Sequence, residues 1–140
     1  MYISAVRKHL AIMPTLVIDA IISGNKTVET RFSKHKIVPF GFVSVGDLVY
    51  LKPPGEEVIG QFRVKKVFYF SGLEKQDIEH IFAEYGGRFL IGDDSFDKRY
   101  RKEKLESKFA TLIFIKDPER FLTSPIRIQK SDKRGWVVID

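Results

Sequence analysis

The run from Val58 to Phe70 constrains the fold of this chain more than any other stretch. It alternates as a β-strand does, with Val58, Phe62 and Val64 on one face, and the next residue due on that face is Lys66. A lysine at a core position breaks the two-residue period. One extra residue near Lys65-Lys66 restores the apolar side of the strand to the interior, and such a bulge bends and twists the sheet that carries it. The expected architecture is therefore a curved or closing sheet. Shorter strand signals lie at Leu10 to Met13, Thr27 to Phe32 and Leu48 to Lys52. Phe109 to Ile115 is almost wholly apolar, as an inner strand is. Ile126 to Gln129 and Trp136 to Ile139 read as a closing hairpin. Turn signals fall at Pro39-Phe40-Gly41, Gly46-Asp47, Pro53-Pro54-Gly55 and Asp117-Pro118.

Three segments carry helical signals. Leu16, Val17, Ala20 and Ile21 follow Pro14-Thr15, with Thr15 as the expected N-cap, Asp19 near the positive end of the dipole and Gly24 as the stop. Ser71-Gly72-Leu73-Glu74 has capping-box spacing, and Ile78, Ile81, Phe82 and Tyr85 continue at helical intervals to an expected end at Gly86-Gly87. Asp93 to Lys108 is densely charged, with Asp94/Lys98 and Asp97/Arg101 spaced as i,i+4 pairs. The sum is a single α+β domain over residues 1–140, a small barrel of five to seven mostly antiparallel strands with two to three flanking helices.

Bulk properties narrow the function. The 140-residue chain is 44% apolar and 30% charged, enough to bury a core without staples. It has no cysteine, which excludes a disulfide framework, a zinc-thiolate site and a cysteine nucleophile together. Lys and Arg number 24 against 18 Asp and Glu, a net charge of +6 that favours polyanionic partners. Leu10 to Ser23 is interrupted by Pro14, Thr15 and Asp19 and falls short of a membrane span. A soluble, cytoplasmic protein is the expectation. His9, His35 and His80 share no metal-ligand spacing, and Asp93, Asp94 and Asp97 suit a helix N-terminus, so no metal is expected. Neither common glycine-rich phosphate loop is present, so no nucleotide cofactor is expected either.

The segment Ile22-Ser23-Gly24-Asn25-Lys26-Thr27-Val28-Glu29-Thr30-Arg31 carries the chemistry. A helix ends on Gly24, Lys26 follows in the turn, and a strand then sets Glu29 and Arg31 on one face while Val28, Thr30 and Phe32 take the core face. Such a group can hold a phosphate through Lys26 and Arg31, or grip a base edge with Glu29 accepting and Arg31 donating. The plain alternative is an exposed Glu29–Arg31 pair worth ~0–1 kcal/mol.

This segment resembles the GxKxxExR signature of the ASCH domain, a PUA-like fold. Gly46-Asp47-Leu48-Val49-Tyr50-Leu51, Gly60-Gln61-Phe62-Arg63-Val64 and Phe109 to Ile115 follow in the order that family requires. The resemblance implies a β-barrel with flanking helices and a cleft in which Lys26, Glu29 and Arg31 face RNA, a modified base or a nucleotide-like ligand. Gly24, Lys26, Glu29 and Arg31 take the motif positions, with Ser33, Lys34 and Lys52 as further ligand-binding candidates. His35, Lys36, Arg63, Arg127, Lys130, Lys133 and Arg134 can extend the basic track, and Phe40, Phe42, Tyr69 and Trp136 are candidate stacking platforms.

The resemblance also raises a small hydrolase, a ribonuclease or modified-nucleoside amidohydrolase, in which Lys26 or Glu29 acts as the base and Ser33, Tyr50 or Tyr69 supplies a hydroxyl. In the amidohydrolase branch a threonine nucleophile stands three residues after the motif lysine, and here that position is Glu29. Two neighbouring cations depress a carboxylate pKa and make Glu29 a weak base, and a carboxylate beside Lys26 opposes lowering of the lysine pKa.

Overall fold

The computed structural model describes residues 6–124 and 134–139. The described strands are β1 (Lys8–Ile12), β2 (Val28–Ser33), β3 (Leu48–Lys52), β4 (Gly60–Ser71), β5 (Phe109–Arg120) and β6 (Trp136–Ile139). They form one curled sheet in the order β2-β5-β4-β3-β1-β6. The pairings are antiparallel except β1 with β3. The described helices are α1 (Thr15–Ser23), α2 (Lys75–Phe89) and α3 (Asp94–Lys104). The α+β half-barrel expected from the strand pattern is the architecture found.

The phase break in β4 is a bulge. Val64 pairs with Ile115 and Lys66 with Phe114, which leaves Lys65 as the extra residue. Before it, Phe62 and Val64 pack with Val17, Ile18 and Ile21 of α1. After it, odd-numbered Val67 and Tyr69 take over that face, while Phe68 and Phe70 turn to the opposite cluster beneath α2. Lys66 is exposed, with its ammonium 4.3 Å from the Phe114 ring centroid and 4.9 Å from that of Phe68.

Several expected boundaries move. β5 does not stop at Ile115 but runs to Arg120. Asp117, at φ 49, and Pro118 form a second bulge opposite β4, which is where a sheet tolerates proline. Pro14, not Thr15, occupies the N-cap of α1. The capping box of α2 lies one turn later than expected, between Glu74 and Asp77. That helix also passes through Gly86 and Gly87, because Phe89 extends its apolar stripe by a turn and packs 4.9 Å from Phe82. Such packing offsets the ~1 kcal/mol that each helical glycine costs. The hairpin partner expected at Ile126 to Gln129 lies outside the described residues; β6 pairs with β1.

If Lys65 is needed only as a spacer, Lys65→Ala changes the unfolding free energy by less than about 0.5 kcal/mol. Deleting Lys65 swaps the faces of Val67 through Phe70 and abolishes cooperative unfolding. Urea denaturation followed by circular dichroism checks both outcomes.

Candidate functional site

The two edges of the sheet, β2 and β6, are brought together by a side chain. Arg31 of β2 donates from Nη1 to the carbonyl of Gly135, just before β6, at 3.1 Å, and from Nη2 to that of Ile12, at the end of β1, at 3.2 Å. A Cβ on Gly135 would lie 3.1 Å from Arg31 Nη1, so glycine leaves room for this approach. The guanidinium also sits 5.2 Å from the Trp136 ring centroid.

Lys26 is placed by a backbone turn. Gly24 adopts φ 86, which glycine takes without strain, and the Lys26 N–H reaches back to the Ala20 carbonyl at 2.9 Å. The chain then caps the end of α2: Thr27 N–H donates to the Arg88 carbonyl at 2.9 Å, and Lys26 Nζ donates to that of Phe89 at 2.6 Å. A cation at a helix C-terminus is favourably placed and satisfies an orphan carbonyl.

Glu29 joins the two cations. Its Oε1 lies 3.2 Å from Lys26 Nζ and its Oε2 3.2 Å from Arg31 Nη2. Oε1 also accepts from the Thr30 N–H at 3.0 Å, and Tyr100 OH donates to the Thr30 carbonyl at 3.3 Å, so the free edge of β2 is capped by side chains. Lys26 and Glu29 are each 4% exposed. Burial alone would raise the Glu29 pKa, but Lys26 and Arg31 together outweigh it and hold the carboxyl below its ordinary 4.5. For Lys26 the balance goes the other way: burial outweighs the attraction of Glu29, and its pKa is lowered from 10.5. The neighbouring carboxylate therefore does not decide the direction for Lys26, contrary to the expectation from sequence.

These three groups face a cavity of about 240 Å³ against the β2 edge. Met13 and Val17 form part of its wall, Phe89 another, and Phe96, Tyr100 and Lys104 come from α3. Burial, then Glu29, push the Tyr100 phenol pKa up, so its hydroxyl stays protonated as it bonds Thr30 Oγ1 at 2.6 Å.

The crystal structure of an ASCH protein from Zymomonas mobilis superposes on this chain with a TM-score of 0.64 at 15% identity, covering 95% of this chain and 87% of that one. A mutant of the same protein gives a TM-score of 0.68 at 14% identity, covering 95% and 88%. The fold is that of an ASCH domain. A hypothetical protein of known structure also matches, with a TM-score of 0.52 at 21% identity, covering 78% of this chain and 96% of that one. No protein-family model matches the sequence, and no curated protein matches it significantly.

Within this ASCH fold the predicted site residues separate. Lys26, Glu29 and Arg31 converge on the cavity, and Gly24 acts through its backbone turn. Ser33 instead donates to the His35 carbonyl at 2.7 Å and lines a neighbouring cleft of about 410 Å³ with Arg31, Phe40, Arg134 and Trp136. Lys34, His35 and Lys36 are exposed on the following loop. Lys52 is fully buried and donates to the Pro53 carbonyl at 3.2 Å. It alternates with Val49 and Leu51 and so projects to the other side of β3, away from the cavity. Arg63 donates to the Gly46 carbonyl, and Arg127, Lys130 and Lys133 lie outside the described residues.

The candidate hydroxyls also lie elsewhere. Tyr50 packs with Leu10, Leu48 and Val58, and Tyr69 OH bonds the backbone of Val43. Phe42 lies under the Arg7 guanidinium, and Trp136 is buried. Among the described residues no group of three or more His, Asp or Glu is arranged to hold a metal, and no helix is long and apolar enough to cross a membrane.

The α3 residues were hidden in a segment that reads as a solvated charged helix. Asp97, expected to pair with Arg101, accepts the N–H groups of Ile91 at 3.1 Å and Gly92 at 3.0 Å. The available signal was Phe96 and Tyr100, two aromatics at i,i+4 in an otherwise charged run.

Glu29→Gln leaves two cations without their buried anion and lowers the unfolding free energy at pH 7 by about 3–5 kcal/mol. The folded-state pKa of Glu29 is depressed, so its stabilisation is complete above the ordinary carboxyl value and is lost as pH falls through and below it. The gap between wild type and Glu29→Gln should begin to narrow as pH falls below ~4.5 and close only once pH has fallen through the lower folded-state value, which urea denaturation at pH 7 and across the acid range measures.

Proposed function

We propose that this protein binds RNA, or a nucleotide-like piece of it, by taking one nucleotide into the cavity beside β2. The observation that carries this reading is the buried Lys26–Glu29–Arg31 set facing a small, partly aromatic hollow. Burying ions costs stability unless they are fully paired, and a lysine whose pKa is lowered by burial, beside a specific charge partner and facing a cavity, has the hallmarks of a functional group. An ammonium has three donors, and two of those on Lys26 are engaged by the Phe89 carbonyl and Glu29. The third is available to a ligand. Drug-sized sites run to roughly 300–1,000 Å³. A hollow of about 240 Å³ suits a single base or nucleoside better than a stretch of chain. Glu29 orients both cations and can accept from a base amino group, and the net charge of +6 favours the approach of a polyanion.

Hydrolysis of an RNA or modified nucleoside in the same cavity is the second reading, favoured by the lowered Lys26 pKa. The hydroxyls lining the cavity are Thr30 and Tyr100, which bond one another, and Tyr100 is held in its protonated form. A nucleophile activated by Lys26 would have to come from the ligand or from water.

The test is fluorescence anisotropy of a labelled single-stranded RNA at two salt concentrations, with wild type and Lys26→Met, each verified as folded by circular dichroism. Binding should weaken with salt by a slope of about −0.7 per phosphate neutralised. Lys26→Met should reduce affinity by roughly ten-fold or more. Equal binding by both proteins removes the cavity from the interaction. RNA recovered intact on a gel favours the binding module, and shortened RNA or a released acyl group, found by mass spectrometry, favours the hydrolase.

A further inference from the structure

One face of α3 changes character along its length. Phe96, Tyr100 and Lys104 follow at i,i+4 spacing, so each step is about 6 Å along the axis. All three line the cavity. The Phe96 and Tyr100 rings are nearly parallel, with centroids 6.4 Å apart and an interplanar angle of 9°. Lys104 Nζ then lies 5.1 Å from the Tyr100 centroid. The wall therefore runs from aromatic to cationic over a distance comparable to the length of a nucleoside monophosphate.

The cationic end is electrostatically unfinished. Lys104 is half-buried, and its ammonium makes no ion pair among the described residues. Burial lowers its pKa and the charge of Arg31 lowers it further, against the pull of Glu103 and, more weakly, of Glu29, neither of which pairs with it. Glu29 is already shared between Lys26 and Arg31. Two cations near one another in a half-desolvated mouth leave a place for an anion that the protein does not supply.

We propose that Lys104, with Arg31, forms a phosphate subsite at the cationic end of this cavity, so that the bound nucleotide lies along α3 with its base toward Phe96 and its phosphate toward Lys104. This rests on the reading of the cavity as a nucleotide site, and it assigns the phosphate to a residue outside the Lys26–Glu29–Arg31 set. An ammonium–phosphate contact is charge-assisted and strong where water is partly excluded. Lysine here acts as a point charge and does not demand the planar approach of a guanidinium.

Isothermal titration calorimetry of the full chain decides this, using the four ribonucleosides, their 5′-monophosphates and dinucleoside monophosphates as ligands. At least one monophosphate should bind roughly ten-fold or more tightly than its parent nucleoside. Lys104→Ala should cancel that gain while leaving nucleoside affinity within about two-fold, and Lys104→Arg should keep most of it. A dinucleoside monophosphate that shares the gain identifies a chain phosphate as the group read, and a gain confined to the monoester identifies a terminal one.

Equal affinity for nucleoside and monophosphate, or a gain that survives Lys104→Ala, overturns the subsite but leaves the nucleotide reading standing. If no small ligand binds and single-stranded RNA binds wild type and Lys104→Ala alike, the subsite is likewise overturned. If RNA also fails to bind, the reading of the cavity falls with it.

Discussion

The carboxylate of Glu29 is the group on which the rest of the site depends. It lies between Lys26 and Arg31, accepts the Thr30 N–H on the free edge of β2, and is almost fully buried. An unpaired charge in that position would be strongly destabilising, and so would either cation without it. Each partner is anchored to a different part of the fold, Lys26 to the last carbonyl of α2 and Arg31 to the chain beside β1 and β6. One carboxylate thereby ties the end of a helix to both edges of the sheet. The curled sheet needs such a tie because its edge strands meet through Arg31.

How much of this could be read from the sequence depended on whether the signal was local. The β4 bulge was legible because a single lysine out of phase can be kept from the core only by one extra residue in the strand, and Lys65 is that unpaired residue. The end of α2 was not legible. Gly86-Gly87 is a strong local stop signal, and the helix is carried past it by Phe89, which packs on Phe82 of its own helix and makes a tertiary contact with Phe32 of β2. The misplaced boundary hid part of the site as well, because the Phe89 carbonyl that Lys26 caps belongs to the turn that was missed.

The same distinction holds for the site residues. Lys26, Glu29 and Arg31 are close in sequence, so strand alternation and one glycine turn bring them together. Lys52 and Lys34 were grouped with them by charge alone. Charge does not encode facing: Lys52 lies on the other side of β3, and Lys34 on an exposed loop. The α3 wall comes from more than sixty residues downstream, as a helix whose described residues are nowhere fully buried. Its composition reads as solvated surface, and its aromatic pair is informative only once the helix is known to lie over the β2 edge.

The anchoring of Arg31 extends beyond the cavity. Trp136, the sole tryptophan, lies beside the guanidinium and donates its indole N–H to His9 Nδ1 at 3.1 Å. An indole N–H can only donate, so Nδ1 is the acceptor and His9 carries its proton on Nε2, which donates to Asp47 Oδ2 at 2.8 Å. Asp47 in turn accepts the backbone N–H groups of Arg7 at 3.2 Å and Ser44 at 2.9 Å. The ring beside Arg31 is thus held by a buried, directional chain that ends at the turn before β3. Apolar packing alone would let the indole slide, and with it the guanidinium that holds the sheet edges together. A hydrogen-bonded chain with one permitted donor order fixes the ring, and so keeps Arg31 where Glu29 can reach it.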